Sequence, residues 1–134
     1  MSHFTKVKTV IREREVLCEA LRALHHRFRE GERLIVNGYQ DNTETAEVVV
    51  HTGCKYDIGF QRQRDGVYAA VADWNWGIRR EAAPRFHQDA FLGEINQKYA
   101  HLNVRRQARI HGWPIEEERV LDDGTIEVVV CENI

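Results

Sequence analysis

The chain has 134 residues, 43% hydrophobic and 30% charged, and its 19 Lys and Arg against 21 Asp and Glu leave a formal net charge of −2. That balance suits a single globular domain over residues 1–134 with one core, excludes a disordered or collagenous chain, and leaves no apolar stretch near the ~20 residues that span a bilayer. The start carries no apolar run of signal-peptide length, and Cys18, Cys54 and Cys131 form no C-x-x-C pair, so a reducing, cytoplasmic setting without a membrane is expected.

In chain order, Phe4, Val7 and Val10 interleave with Lys6 and Lys8 and predict a first, edge-like strand over residues 4–10. Val16, Leu17, Ala20, Leu21, Leu24 and Phe28 then recur at three- and four-residue spacing, which predicts a helix that ends at Glu30-Gly31, with Gly31 as the left-handed cap. Leu34-Ile35-Val36 reads as a strand running into the turn signal Asn37-Gly38, Asp41-Asn42-Thr43 as a loop, and residues 46–51 as the next strand. Tyr56-Asp57-Ile58-Gly59-Phe60 and residues 67–72 alternate around Arg64-Asp65-Gly66, a hairpin signature. Trp74-Asn75-Trp76-Gly77 closes this meander, and Pro84 sits where a second, long helix begins. Phe91, Ile95, Tyr99 and Leu102 supply that helix's apolar stripe, and Gly112-Trp113-Pro114 stops it. Residues 115–121, the turn Asp122-Asp123-Gly124 and residues 125–131 form a last hairpin, with Cys131 at its end.

The order is β-α-β-β-β-β-α-β-β. So small a chain cannot cover both faces of a sheet with helices, so the expected class is α+β: a mostly antiparallel sheet with two principal helices on one face. The other face is then expected to be solvated or covered by a partner, and a homo-oligomer is one way to cover it.

The opening Met1-Ser2-His3-Phe4, the segment Tyr56-Asp57-Ile58-Gly59-Phe60, Lys98-Tyr99-Ala100, and Gly124 before a Val-rich final strand occur in a recognisable order. Together they resemble the hypothetical chloroplast reading frame thirty-five family, small proteins of bacteria, cyanobacteria and algal plastids classed as a domain of unknown function. The resemblance extends over essentially the whole chain. It implies a non-secreted protein with no assigned catalytic residue, and an accessory role beside an ATPase of the AAA type. Neither His25-His26 nor Arg79-Arg80 belongs to the pattern.

Chemistry-bearing motifs are few. Neither G-x-x-x-x-G-K-[ST] nor G-x-G-x-x-G occurs, so no nucleotide cofactor is expected. The seven histidines (His3, His25, His26, His51, His87, His101 and His111) lack the i,i+4 spacing of helical metal ligands, so they read as surface or cap residues and no metal is expected; His3 would bind copper or nickel only incidentally. His51, Cys54 and Asp57 supply a base, a nucleophile and an orienting carboxylate within one segment, although strand alternation places Cys54 and His51 on opposite faces. Asp57 faces solvent or pairs with Lys55 or Arg62.

Charge is the more informative signal. Between Trp76 and Gly112, Arg79, Arg80, Arg85, Lys98, Arg105, Arg106 and Arg109 face only Glu81, Asp89 and Glu94, a local +4. From Trp113 onward Arg119 faces seven acidic residues, a local −6. With Trp74 and Trp76 as stacking platforms, the basic helix is a candidate nucleic-acid binder through Arg79, Arg80, Arg105 and Arg106. The near-zero total charge favours mutual neutralisation instead, within the chain or across an interface. The expected function is therefore a non-enzymatic accessory protein that binds a protein partner. The interaction residues singled out are Tyr56, Asp57, Phe60, Trp74, Trp76, Arg79, Arg80, Arg105 and Arg106.

Overall fold

The computed structural model describes residues 4–123 and 125–130. Readings that fall on residues 1–3, 124 and 131–134, His3 and Cys131 among them, lie outside the described residues. The elements follow as β1 (Thr5–Lys8), α1 (Arg14–Ala23), β2 (Arg27–Asn37), β3 (Thr43–His51), β4 (Asp57–Arg62), β5 (Tyr68–Ala72), the single turn α2 (Arg79–Glu81), α3 (Gln88–His111), β6 (Ile115–Val120) and β7 (Ile126–Val130). The first five strands pair antiparallel in the order β1-β5-β4-β3-β2, and β6 and β7 form a separate two-stranded sheet. This is the α+β arrangement expected, with β1 shorter than the alternation suggested.

Period-two alternation puts Val48, Val50, Ile58, Phe60, Ala70 and Ala72 on one face, where they bury against Val16, Leu17 and Leu21 of α1 and Phe91, Ile95 and Tyr99 of α3. Each Val, Leu, Ile or Phe among them contributes about 1.5–3 kcal/mol by leaving water. The Tyr99 hydroxyl also accepts the N–H groups of Arg12 (3.1 Å) and Glu13 (3.0 Å), binding α3 to the start of α1, which has no side-chain cap of its own.

The first helix ends seven residues before Gly31. Leu24 closes it, His25 takes the left-handed conformation (φ 62°), and the N–H groups of His25 and His26 bond back to the carbonyls of Arg22 and Leu21. This is the capping pattern that glycine usually supplies, here with histidine in its place. Phe28 reaches the core from β2, and Gly31 lies where the β2–β3 register shifts, between Glu30 and Leu34. Gly112 (φ 70°) ends α3 in the same way, as its sequence signal indicated.

The second face of the sheet is covered at its middle by the chain itself, while Lys6, Lys8, Arg27 and Arg29 towards its edges stay exposed to solvent. Beyond the register shift the far end of the β2–β3 hairpin folds across β4. Val36 and Ala46 lie so close above Gly59 that a Cβ there would sit 2.5 Å from Val36 Cγ2 and 2.9 Å from Ala46 Cβ. Val36, Ala46 and Val49 form a small second core with Phe4 and Leu34 packed against it, and Val71 is also fully buried. Gly59 therefore marks a close approach of backbone to side chain inside a strand. No helix among the described residues is long and apolar enough to cross a membrane.

Candidate interaction surface

The folded-back hairpin carries its tip, Tyr39–Asp41, to the segment that follows β5. There Asp73, fully buried, binds both sides together. Its Oδ1 accepts the N–H groups of Trp76 (3.3 Å) and Gly77 (3.2 Å), and its Oδ2 accepts that of Tyr39 (3.0 Å). An aspartate ahead of a helical turn is a capping residue, and burial is tolerable because its carboxylate meets several backbone donors. The capped segment, Trp74–Ile78, is one wide π-helical turn, and Gly77 is required in it. A Cβ at Gly77 would stand 2.8–3.0 Å from the Tyr56 ring.

This turn separates two tryptophans. Trp74 points into the core against Phe91 (ring centroids 6.3 Å), as does Phe60 (6.2 Å), so both rings are taken up by internal packing. Trp76 is 41% exposed, with the Arg80 guanidinium 4.5 Å over its ring and Tyr39 at 6.4 Å. Arg79 is exposed beside them and makes no ion pair among the described residues. Tyr56 is buried beneath the turn with Lys55 over its ring (5.4 Å), and its hydroxyl is pushed up to about 12 by burial and by the Glu81 carboxylate. Trp76, Arg79, Arg80 and Tyr39 thus form an exposed aromatic–cationic ledge on a rigid, buried footing.

The other arginine pair is elsewhere. Arg105 bonds Glu118 of β6 (3.5 Å) and Arg106 bonds Glu15 of α1 (2.8 Å), about 25 Å along α3 from its first turn. His101 shares Glu118 (3.0 Å). The acidic hairpin thus takes up part of the basic helix's charge through Glu118, while within β6–β7 Arg119 lies between Glu117 (3.6 Å) and Glu127.

His51 and Asp57 stand directly opposite each other on β3 and β4, with Nδ1 and Oδ1 3.7 Å apart. Asp57 Oδ2 also accepts from the backbone N–H and the side-chain Nδ2 of Asn37, both at 2.9 Å. Asp57 therefore anchors the folded hairpin, a role in which neither Lys55 nor Arg62 takes part. Cys54 turns to the main core, its sulfur 3.1 Å from Thr52 Oγ1 and 3.7 Å from the Tyr56 carbonyl. The three residues do not assemble into a nucleophile–base–carboxylate relay. Among the described residues no group of three or more His, Cys, Asp and Glu is placed to hold a metal.

Asp73 and Tyr39 were missed as site residues. The available signal was Asp73 itself, a potential cap between an apolar strand and an aromatic, glycine-containing turn.

The fold and this surface define a small α+β protein with two sheet cores and an exposed aromatic–cationic ledge. The chain belongs to the family described as protein of unknown function (DUF1257), which it matches over residues 20–129. It is similar to the uncharacterized protein ycf35 of Guillardia theta, at 30% identity over 97% of this chain and 96% of the relative. The corresponding proteins of Cyanophora paradoxa and Pyropia yezoensis are 29% and 27% identical, with the same coverage of both chains. The family resemblance carried by Tyr56-Asp57-Ile58-Gly59-Phe60 is thus shown. No solved structure is significantly similar to it.

Proposed function

We propose that this chain is a non-enzymatic, cytoplasmic accessory protein that binds a protein partner through the Trp76–Arg80 ledge. The observation that carries the reading is the exposed Trp76 ring, stacked under Arg80 and held by the buried Asp73. Trp, Tyr and Arg dominate the energetics of protein interfaces, especially on a preorganised footing that loses little entropy on binding. An AAA-type ATPase is the first partner to try, on the family resemblance alone. The nucleic-acid reading is weaker because Arg105 and Arg106 are paired with Glu118 and Glu15, away from Arg79 and Arg80. An enzyme built on His51, Cys54 and Asp57 is weaker still, since Cys54 bonds Thr52 and Tyr56 rather than His51.

The test is affinity capture of the tagged protein from its native lysate, with and without nuclease, beside the Trp76→Ala variant. A stoichiometric protein partner is expected for the wild type. The variant should lose affinity by about thirtyfold, the equivalent of a 2 kcal/mol hot spot. Undiminished capture by Trp76→Ala would refute the ledge, and recovery of nuclease-sensitive material alone would favour the nucleic-acid reading.

A further inference from the structure

We propose that the tip of the β6–β7 hairpin of one copy docks on the Trp76–Arg79–Arg80 ledge of a second copy. The inference rests on the reading of the ledge as a binding surface and adds the chemistry of one partner.

The hairpin is poorly provided for within its own chain. It stays outside the five-stranded sheet and leans on α3, where Glu118 bonds His101 and Arg105. A two-stranded sheet is marginal by itself. Yet it displays Val120 (71% exposed), Leu121 (39%) and Val129 (37%), and Val120 and Leu121 run directly into Asp122 and Asp123. Over residues 115–130 six carboxylates face Arg119 alone.

The ledge is the chemical complement of that tip. It offers one broad apolar ring, Trp76, with the Arg80 guanidinium over it and the exposed Arg79 next to Arg80 in the chain, while the tip offers two aliphatic side chains followed by two carboxylates. Both tip carboxylates are exposed, and because Asp123 accepts the Thr125 N–H (2.9 Å) to hold the turn, Asp122 is the one matched to Arg79. Among the described residues no ion pair joins the ledge to the hairpin of the same chain. The acidic groups near the ledge are Glu81, beside the Tyr56 hydroxyl, and Asp41 in the hairpin tip. They limit the net charge, which points to weak, salt-sensitive association. Because the two surfaces differ, each copy keeps one of each kind, and the contact repeats into a ring or an open chain rather than a two-fold dimer.

Light scattering on the purified full chain, from micromolar to millimolar concentration at low salt, tests this with a charge swap. The wild type should rise above its monomer mass of 15.7 kDa. Arg79→Glu and Asp122→Arg should each weaken association by at least about tenfold. An equimolar mixture of the two variants should recover it, since reversed ledge then meets reversed tip. Circular dichroism confirms that each variant is folded. A wild type that stays monomeric throughout overturns the proposal, as does association unaffected by either variant or a mixture that fails to recover. If the wild type is monomeric while Trp76→Ala still loses another protein in the capture experiment, self-association falls and the ledge reading stands.

Discussion

The five-stranded body and the β6–β7 hairpin solve the same problem with opposite success. In the body one face of the sheet is buried by α1 and α3 and the middle of the other by the chain's own folded hairpin, and Asp57 and Asp73 meet backbone N–H donors. The hairpin has one side against α3, surface ion pairs, and exposed valines. Body residues are thus fixed by mutual burial, whereas the hairpin is held by contacts that water and salt weaken. The proposed binding surfaces, the Trp76 ledge and the hairpin tip, lie where the buried part of the body ends.

Substitutions that breach the body should have the largest effects. Gly59→Val places a side chain where Val36 and Ala46 already stand, and a loss of more than about 3 kcal/mol in urea denaturation is expected. Asp73→Ala removes the carboxylate that accepts the N–H groups of Tyr39, Trp76 and Gly77, the last of which keeps the Asp73 backbone carbonyl (3.1 Å), at a cost of about 2–3 kcal/mol by the same measurement.

Acid should act through His26. Burial lowers its pKa from 6.5 to about 4, with the neighbouring Arg85 adding to the effect. The unfolded chain therefore binds this proton first as pH falls. The stability contribution is whole above about pH 6.5 and is lost progressively down to about pH 4. On the order of 2–3 kcal/mol is at stake, and His26→Gln should remove that slope from denaturation midpoints taken across the window. The smallest effect belongs to the hairpin. Glu118→Gln weakens the contacts with His101 and Arg105 and should cost less than about 1 kcal/mol, less again in high salt.

Local chemistry made much of this legible. Arg64-Asp65-Gly66 announced the β4–β5 hairpin, and Gly112-Trp113-Pro114 announced the end of α3, because turn and cap preferences act over a few residues. His25 concealed the end of α1, since histidine seldom takes the left-handed cap and the apolar spacing runs on through Leu24 and Phe28. The cover over Gly59 depends on residues more than ten positions away on another strand, which no periodicity reports. Gly59 in an apolar strand was its one trace. At the ledge, Trp76, Arg79 and Arg80 were singled out from composition, but the difference between Trp74 and Trp76 came only with the Asp73-capped turn.

Hydrogen exchange on the full chain, at a concentration where it is monomeric, tests the division between self-sufficient body and lightly held hairpin most directly. Amides of β4 should exchange only through global unfolding. Those of β6 and β7 should exchange at least about a hundredfold faster by local opening. Equal protection of the two regions would contradict the account, because the hairpin would then be part of the body's cooperative unit rather than a surface left for a partner.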